Sequence, residues 1–128
     1  MNCLLDTCTF LWLTDHTENL RSAARDIIED SSNRLLVSQI STLEIQIKYN
    51  RGKLPLGLAP REFIARALRD FGLAYLSLDD AHIFAKEKLP LLHRDPFDRL
   101  LIAQCLHEGL AFLTPDPLIH LYPIRVIW

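Results

Sequence analysis

Five carboxylates stand near short apolar runs. Asp6 follows Asn2 to Leu5, Glu44 lies shortly after Leu35 to Val37, Asp95 and Asp98 bracket Pro96-Phe97, and Asp116 follows Ala111 to Leu113. If the fold gathers them, they cannot all stay charged without help. Two like charges about 4 Å apart repel by about 4 kcal/mol at an effective dielectric of about 20. Three or more would take up protons or hold a cation. The donors are oxygen throughout, since Cys3, Cys8 and Cys105 lack ligand spacing and His16, His82, His93, His107 and His120 are scattered and read as surface or packing residues. An all-oxygen set selects Mg²⁺ or Mn²⁺ over zinc. Hard cations with open positions suit phosphoryl chemistry, where they neutralise phosphate charge and acidify a water.

Each acid also has a purely structural use. Asp95 fits an N-cap with Pro96 at the first helical position and Asp98 at the third, an arrangement close to a capping box. Asp6 fits an N-cap after a strand, Glu44 an ion pair with Lys48 one turn on, and Asp116 a turn between Pro115 and Pro117. The residues taken singly leave these uses open; five acids placed to converge on one edge point to a site rather than to five separate structural uses.

The elements that would position them alternate. Asn2 to Leu5, Leu35 to Val37, Ala74 to Leu78, Ala111 to Leu113 and a last segment around Ile124 to Ile127 read as strands. Helical spacing marks Phe10 to Leu13, Leu20 to Asp30, Thr42 to Asn50, Pro60 to Phe71, a helix from Asp79 or Asp80 that stops before Pro90, and a central helix from Pro96 to Gly109. Ser38 and Ser41 are candidate caps, and Gly52 a helix stop. Strands alternating with helices indicate an α/β fold with a parallel sheet. Sites in such sheets form beyond the carboxyl ends of the strands. Asp95 and Asp98 reach that edge only if the central helix packs suitably.

The chain has 128 residues, 49% of them hydrophobic, and a formal charge of −2. This fits one domain over residues 1–128 with a real core, and argues against a general nucleic-acid coat without excluding a nucleic-acid enzyme. An odd number of cysteines points to a reducing cytoplasm. No apolar run approaches the ~20 residues of a membrane helix, and Asp6 interrupts the first apolar run as no signal peptide would.

Four motifs, in this order and spacing, resemble the PIN-domain ribonucleases, specifically the VapC toxins of type II toxin–antitoxin pairs. They are Leu4-Leu5-Asp6-Thr7; Ser41 through Glu44 to Lys48 with Gly52-Lys53-Leu54; Asp95-Pro96-Phe97-Asp98-Arg99 with Leu101-Ile102-Ala103-Gln104; and Thr114 with Asp116. The resemblance spans nearly the whole chain. It implies a parallel sheet with helices on both sides and a Mg²⁺- or Mn²⁺-dependent endoribonuclease acting on structured RNA, often tRNA. Asp6, Glu44, Asp98 and Asp116 match the acidic quartet that holds metal, Asp95 matches an extra acid found in many members, and Thr7 and Thr114 match hydroxyl positions beside the metal. Cys8 stands where many relatives have His, and Leu43 where many have Trp.

Positive charge for an RNA backbone is offered by Lys48, Arg51, Lys53, Arg61, Arg66 and Arg69, with Arg99 in the central helix. The expected partners are RNA, a cognate antitoxin that plugs the acidic groove, and a second copy of the chain. The apolar face between Phe63 and Phe71, with Leu56 and Leu58 before it, motivates the homodimer. Three other readings compete. An aspartate-based phosphohydrolase of the haloacid dehalogenase type needs a second Asp where Cys8 stands, and a response-regulator receiver needs paired early acids. A degenerate domain that only binds a partner would be expected to have lost some of these acids.

Overall fold

The structure, a computed structural model, describes all residues from Met1 to Trp128. Five strands, β1 (Asn2–Leu5), β2 (Arg34–Ser38), β3 (Ala74–Leu76), β4 (Ala111–Leu113) and β5 (Val126–Ile127), form one sheet in the order β3-β2-β1-β4-β5. Every pairing is parallel. Six α-helices connect them: α1 (Thr7–Asp15), α2 (Ser22–Glu29), α3 (Gln39–Asn50), α4 (Pro60–Asp70), α5 (Asp80–Lys86) and α6 (Pro96–Glu108).

Side chains alternate across the sheet as the two-residue period of a strand requires. Cys3, Leu5, Leu35, Val37, Ala111 and Leu113 face one core with Phe10, Leu13, Ile45 and Ile64 from α1, α3 and α4. Leu4, Leu36 and Phe112 face the other with Leu101, Ile102 and Cys105 of α6. Both faces are therefore covered, and the strands read as continuous apolar runs. The inner stretch of α6, Leu101 to Cys105, is buried, as its lack of a polar stripe anticipated.

Chain order places the site. The chain winds outward from β1 through β2 to β3, then returns to the other side of β1 for β4 and β5. The strand order reverses between β1 and β4, which opens a crevice there. A helix leading back into a parallel strand starts at the carboxyl edge of the sheet, so α6 presents its N-terminus to that crevice. Hydrogen bonds from the Asp6 N–H (3.2 Å) and the Thr9 hydroxyl (3.0 Å) to the Leu113 carbonyl tie the ends of β1 and β4 together.

Element boundaries depart from the sequence reading in small ways. α3 starts at Gln39, because the buried Ser38 hydroxyl accepts the Ile40 N–H at 3.0 Å and is the cap; Ser41 lies inside the helix. α1 starts at Thr7, with Asp6 as its cap. β3 stops at Leu76, and α5 ends at Lys86, its last carbonyl taken by Arg99. Arg51 rather than Gly52 is the C-cap of α3, and Gly52 follows it with φ +68°, the left-handed turn that glycine permits.

Candidate active site

Asp6, Thr7, Cys8, Glu44, Lys48, Asp95, Asp98, Pro115 and Asp116 line one groove of about 290 Å³ at the β1–β4 crevice. All five carboxylates expected from the sequence are brought together there. Asp6, Glu44, Asp95 and Asp116 also realise their structural uses, because a carboxylate has two oxygens and can serve both purposes.

Asp6 is nearly buried, and its Oδ1 accepts the Thr9 N–H at 2.7 Å as the N-cap of α1. Burial raises its pKa, opposed by hydrogen bonds from Thr114 and Thr9. The buried Thr114 hydroxyl accepts the Asp116 N–H at 3.2 Å. Glu44 is held at both oxygens: the Thr7 hydroxyl donates to Oε1 at 2.8 Å and Lys48 Nζ to Oε2 at 2.7 Å. Thr7 is fixed in turn by the buried Ser41 hydroxyl at 2.9 Å. The Glu44–Lys48 pair has the expected one-turn spacing, and here it lines the groove. Its hydrogen bond to Glu44 raises the Lys48 pKa against the effect of burial, with the charges of Glu44, Asp95 and Asp98 adding to the rise.

The two acids of α6 divide their roles. Asp95 Oδ1 accepts the N–H groups of Phe97 (2.8 Å) and Asp98 (3.1 Å), a full N-cap. Asp98 caps nothing, and its carboxylate faces the other acids. Burial pushes its pKa up to about 7, with the charges of Asp95, Glu44 and Asp6 adding to the rise and His93 opposing it. Asp116 uses Oδ1 for the Leu118 N–H at 2.9 Å, the turn role foreseen for it, and turns Oδ2 toward Asp98.

His93 corrects the sequence reading, which set all five histidines aside. Its Nε2 lies 2.8 Å from Asp116 Oδ2 and 3.2 Å from Asp98 Oδ2, between two of the carboxylates. The expectation that no histidine is placed to join the acids is wrong at this residue. The signal lay in its position, two residues ahead of the N-cap Asp95 on the loop entering α6. His82 does pack: it is fully buried, accepting the Asp79 N–H at Nδ1 and facing Glu108 at 2.8 Å.

The basic residues separate. Lys48 is in the groove. Arg51 and Lys53 are exposed beyond the end of α3 and do not line it. Arg66 instead lines a cavity of about 480 Å³ with Leu11, Leu54, Leu56, Leu58 and Phe71. Arg99 is corrected as a candidate for RNA contact. Its guanidinium donates to the carbonyls of Lys86, Leu89 and Pro90 and lies 3.4 Å from the Tyr122 hydroxyl, tying the α5 end to α6. Cys8, partly buried, donates its thiol to Asp6 at 3.3 Å, and burial with the Asp6 charge drives its pKa far up. No second carboxylate stands there, so the acid partner of a haloacid-dehalogenase site is missing.

Asp6, raised by burial, and Asp98, raised by burial and then by its acidic neighbours, fit a hard divalent cation, whose charge would stabilise both carboxylates. No helix is long and apolar enough to cross a membrane.

Comparison with known proteins agrees with this geometry. Residues 3–122 match the PIN domain family. A 58-residue segment is 38% identical to Ribonuclease VapC16 of Mycobacterium tuberculosis; it covers 45% of this chain and 41% of that protein, so the chain aligns with about two-fifths of that relative. Among solved structures, VapBC2 from Rickettsia felis bound to a promoter DNA fragment superposes with a TM-score of 0.72 at 14% identity, covering 98% of this chain and 97% of that one. DNA-bound VapBC from Salmonella typhimurium gives 0.66 at 19% identity, over 98% and 96%. The fold, the crevice at the strand reversal and the matched span agree: the chain belongs to the PIN domain family.

Proposed function

We propose that this chain is a divalent-cation-dependent endoribonuclease, a single PIN unit over residues 1–128, that acts in the cytoplasm as the toxin of a type II toxin–antitoxin pair. Its substrate on this reading is structured RNA, with tRNA the first to test. The observation that carries the reading is the gathering of Asp6, Glu44, Asp95, Asp98 and Asp116 around one groove. The ribonuclease name of the Mycobacterium relative and the VapBC names of the structural neighbours support it.

Asp6, Asp98 and Asp116 would hold Mg²⁺ or Mn²⁺, with Glu44 and Asp95 beside them. When bound, the cation supplies charge to the phosphate oxygens and acidity to a water. The chain's own groups do the rest. Thr7 and Lys48 fix Glu44 from both sides, leaving lone pairs on each oxygen to orient an attacking water or accept its proton. Lys48 adds the positive charge that a phosphodiester needs to approach an acidic groove. Water adds to phosphorus as the P–O3′ bond breaks, and the products are 5′-phosphate and 3′-hydroxyl ends.

An anionic groove also attracts arginine, which pairs with carboxylates through two parallel hydrogen bonds. A cognate antitoxin carrying an Arg- or Lys-bearing segment would therefore inhibit by filling it. The apolar cavity between α1 and α4, lined by Leu56, Leu58, Phe63 and Phe71, supports a homodimer that assembles further with the antitoxin. A monomer mass in light scattering at micromolar concentration would remove the dimer.

The test of the functional reading is expression in bacteria. The wild type should arrest growth and fragment cellular RNA, the Asp6→Asn protein should do neither, and co-expression of a cognate antitoxin should restore growth. An Asp6→Asn protein as toxic as the wild type would overturn the reading and favour a module that acts by binding alone.

A further inference from the structure

The one histidine among the carboxylates has a fixed orientation and a fixed proton. The Asp95 N–H donates to His93 Nδ1 at 3.0 Å, which requires a lone pair at Nδ1. The ring proton is then on Nε2, which lies 2.8 Å from Asp116 Oδ2 and 3.2 Å from Asp98 Oδ2. His93 is also anchored from behind, because its own N–H donates to the Tyr122 hydroxyl at 2.9 Å and only a tenth of its side chain is exposed. A metal ligand would need the opposite arrangement. Coordination through Nε2 puts the remaining proton on Nδ1, where it would point at the Asp95 N–H, and that N–H is fixed by the start of α6.

We infer that His93 is a positioning residue for the cation site rather than one of its ligands: its Nε2–H fixes the carboxylate of Asp116, with that of Asp98 beside it at 3.2 Å, in the orientation that receives the metal. The inference rests on the proposed divalent-cation site. It explains how a site containing an imidazole keeps an all-oxygen donor set and the preference for hard cations that goes with it. It also explains the coupling of two elements that the chain brings in separately, since an imidazole on the loop entering α6 bonds to the turn after β4. Asp95 gains a second use: its side chain caps α6 while its backbone N–H orients the imidazole. Groups that orient metal ligands from outside the coordination sphere typically change metal affinity about 10- to 100-fold when removed.

Mn²⁺ is the probe. Its affinity for the metal-free protein is measured by titration calorimetry, and its ligands by electron spin-echo modulation. The wild type should bind Mn²⁺ and show no directly coordinated nitrogen. His93→Phe, which fills the volume without a donor, should bind roughly 10- to 100-fold more weakly. His93→Gln, whose amide N–H reaches the place of Nε2, should stay within about threefold of the wild type, as a position needing only a donor requires. A directly coordinated nitrogen in the wild type would overturn the inference, as would a folded His93→Phe protein with unchanged affinity. If His93→Phe does not fold, the nitrogen signal of the wild type decides alone. A wild type that binds no Mn²⁺ would instead remove the cation site itself, and with it the proposed function.

Discussion

Asp98→Asn should stabilise the metal-free protein while weakening its hold on metal. The Asp98 carboxyl titrates at about 7 in the folded chain, against an ordinary 3.8, first because it is buried and then because Asp95, Glu44 and Asp6 surround it. A rise of roughly three pKa units corresponds to about 4 kcal/mol. About a quarter of the side chain is exposed and its neighbours share the repulsion, so about 2 kcal/mol is the expected gain on removing the charge. The sign follows from proton binding. Below 3.8 the carboxyl is protonated whether the chain is folded or not. Between 3.8 and about 7 the folded protein holds the extra proton, so wild-type stability falls as pH rises, and above about 7 the loss is complete. In EDTA at pH 8, Asp98→Asn should therefore melt roughly 5–10 °C above the wild type, and the gap should close toward pH 4. Saturating Mn²⁺ should reverse the order, because only the wild type gains full binding energy. Thermal melts across pH 4 to 8.5, with and without Mn²⁺, measure all of this. An Asp98→Asn protein no more stable than the wild type at pH 8 in EDTA, or a gap that ignores pH, would refute the electrostatic reasoning.

Asp95 should behave differently from its neighbour. Asp95→Asn keeps the cap oxygen for Phe97 and Asp98 and should change stability by less than about 0.5 kcal/mol, whereas Asp95→Ala should cost about 1 kcal/mol in urea unfolding. Lys48 and Arg99 should also part company in filter binding to RNA. Lys48→Gln should weaken binding and lower the salt slope by about one. Arg99→Met should leave the slope unchanged and cost about 1 kcal/mol of stability, chiefly through the Leu89 carbonyl it leaves without a donor, since the Lys86 and Pro90 carbonyls keep other donors.

Much of this molecule is legible in its sequence, for identifiable reasons. β1, β2 and β4 are short apolar runs closed by polar residues, and buried parallel strands have no other pattern to show. Asp95-Pro96 marks the start of α6 because the cap and the fixed φ of proline act locally. The three-residue delay in reading α3 has a local cause too: Ser38 and Ser41 are three residues apart and both can cap, and only packing against Thr7 assigns Ser41 to the interior. The carboxylates are legible because strand ends in a parallel sheet converge whatever lies between them. What the sequence hides depends on contacts made over long separations. His93 meets Asp116 across 23 residues, and Arg99 meets the end of α5 through carbonyls that every sequence possesses. A basic side chain reads as a phosphate ligand until the fold shows which acceptors already occupy it. The reading of each acid as either cap or ligand also gives way: Asp6 caps α1 with one oxygen and lines the groove as well.

The measurement closest to the central claim is cleavage of an end-labelled structured RNA by the purified protein, freed of any partner. Wild-type protein with Mg²⁺ or Mn²⁺ should cut, leaving 5′-phosphate and 3′-hydroxyl ends. EDTA should stop the reaction and excess Mg²⁺ restore it, since an acidic groove and a phosphodiester repel each other without a cation between them. Asp6→Asn, folded by circular dichroism, should leave the RNA intact under the same conditions. Cleavage that persists in EDTA, or equal cleavage by Asp6→Asn, would contradict the assignment of the carboxylate groove as the catalytic centre.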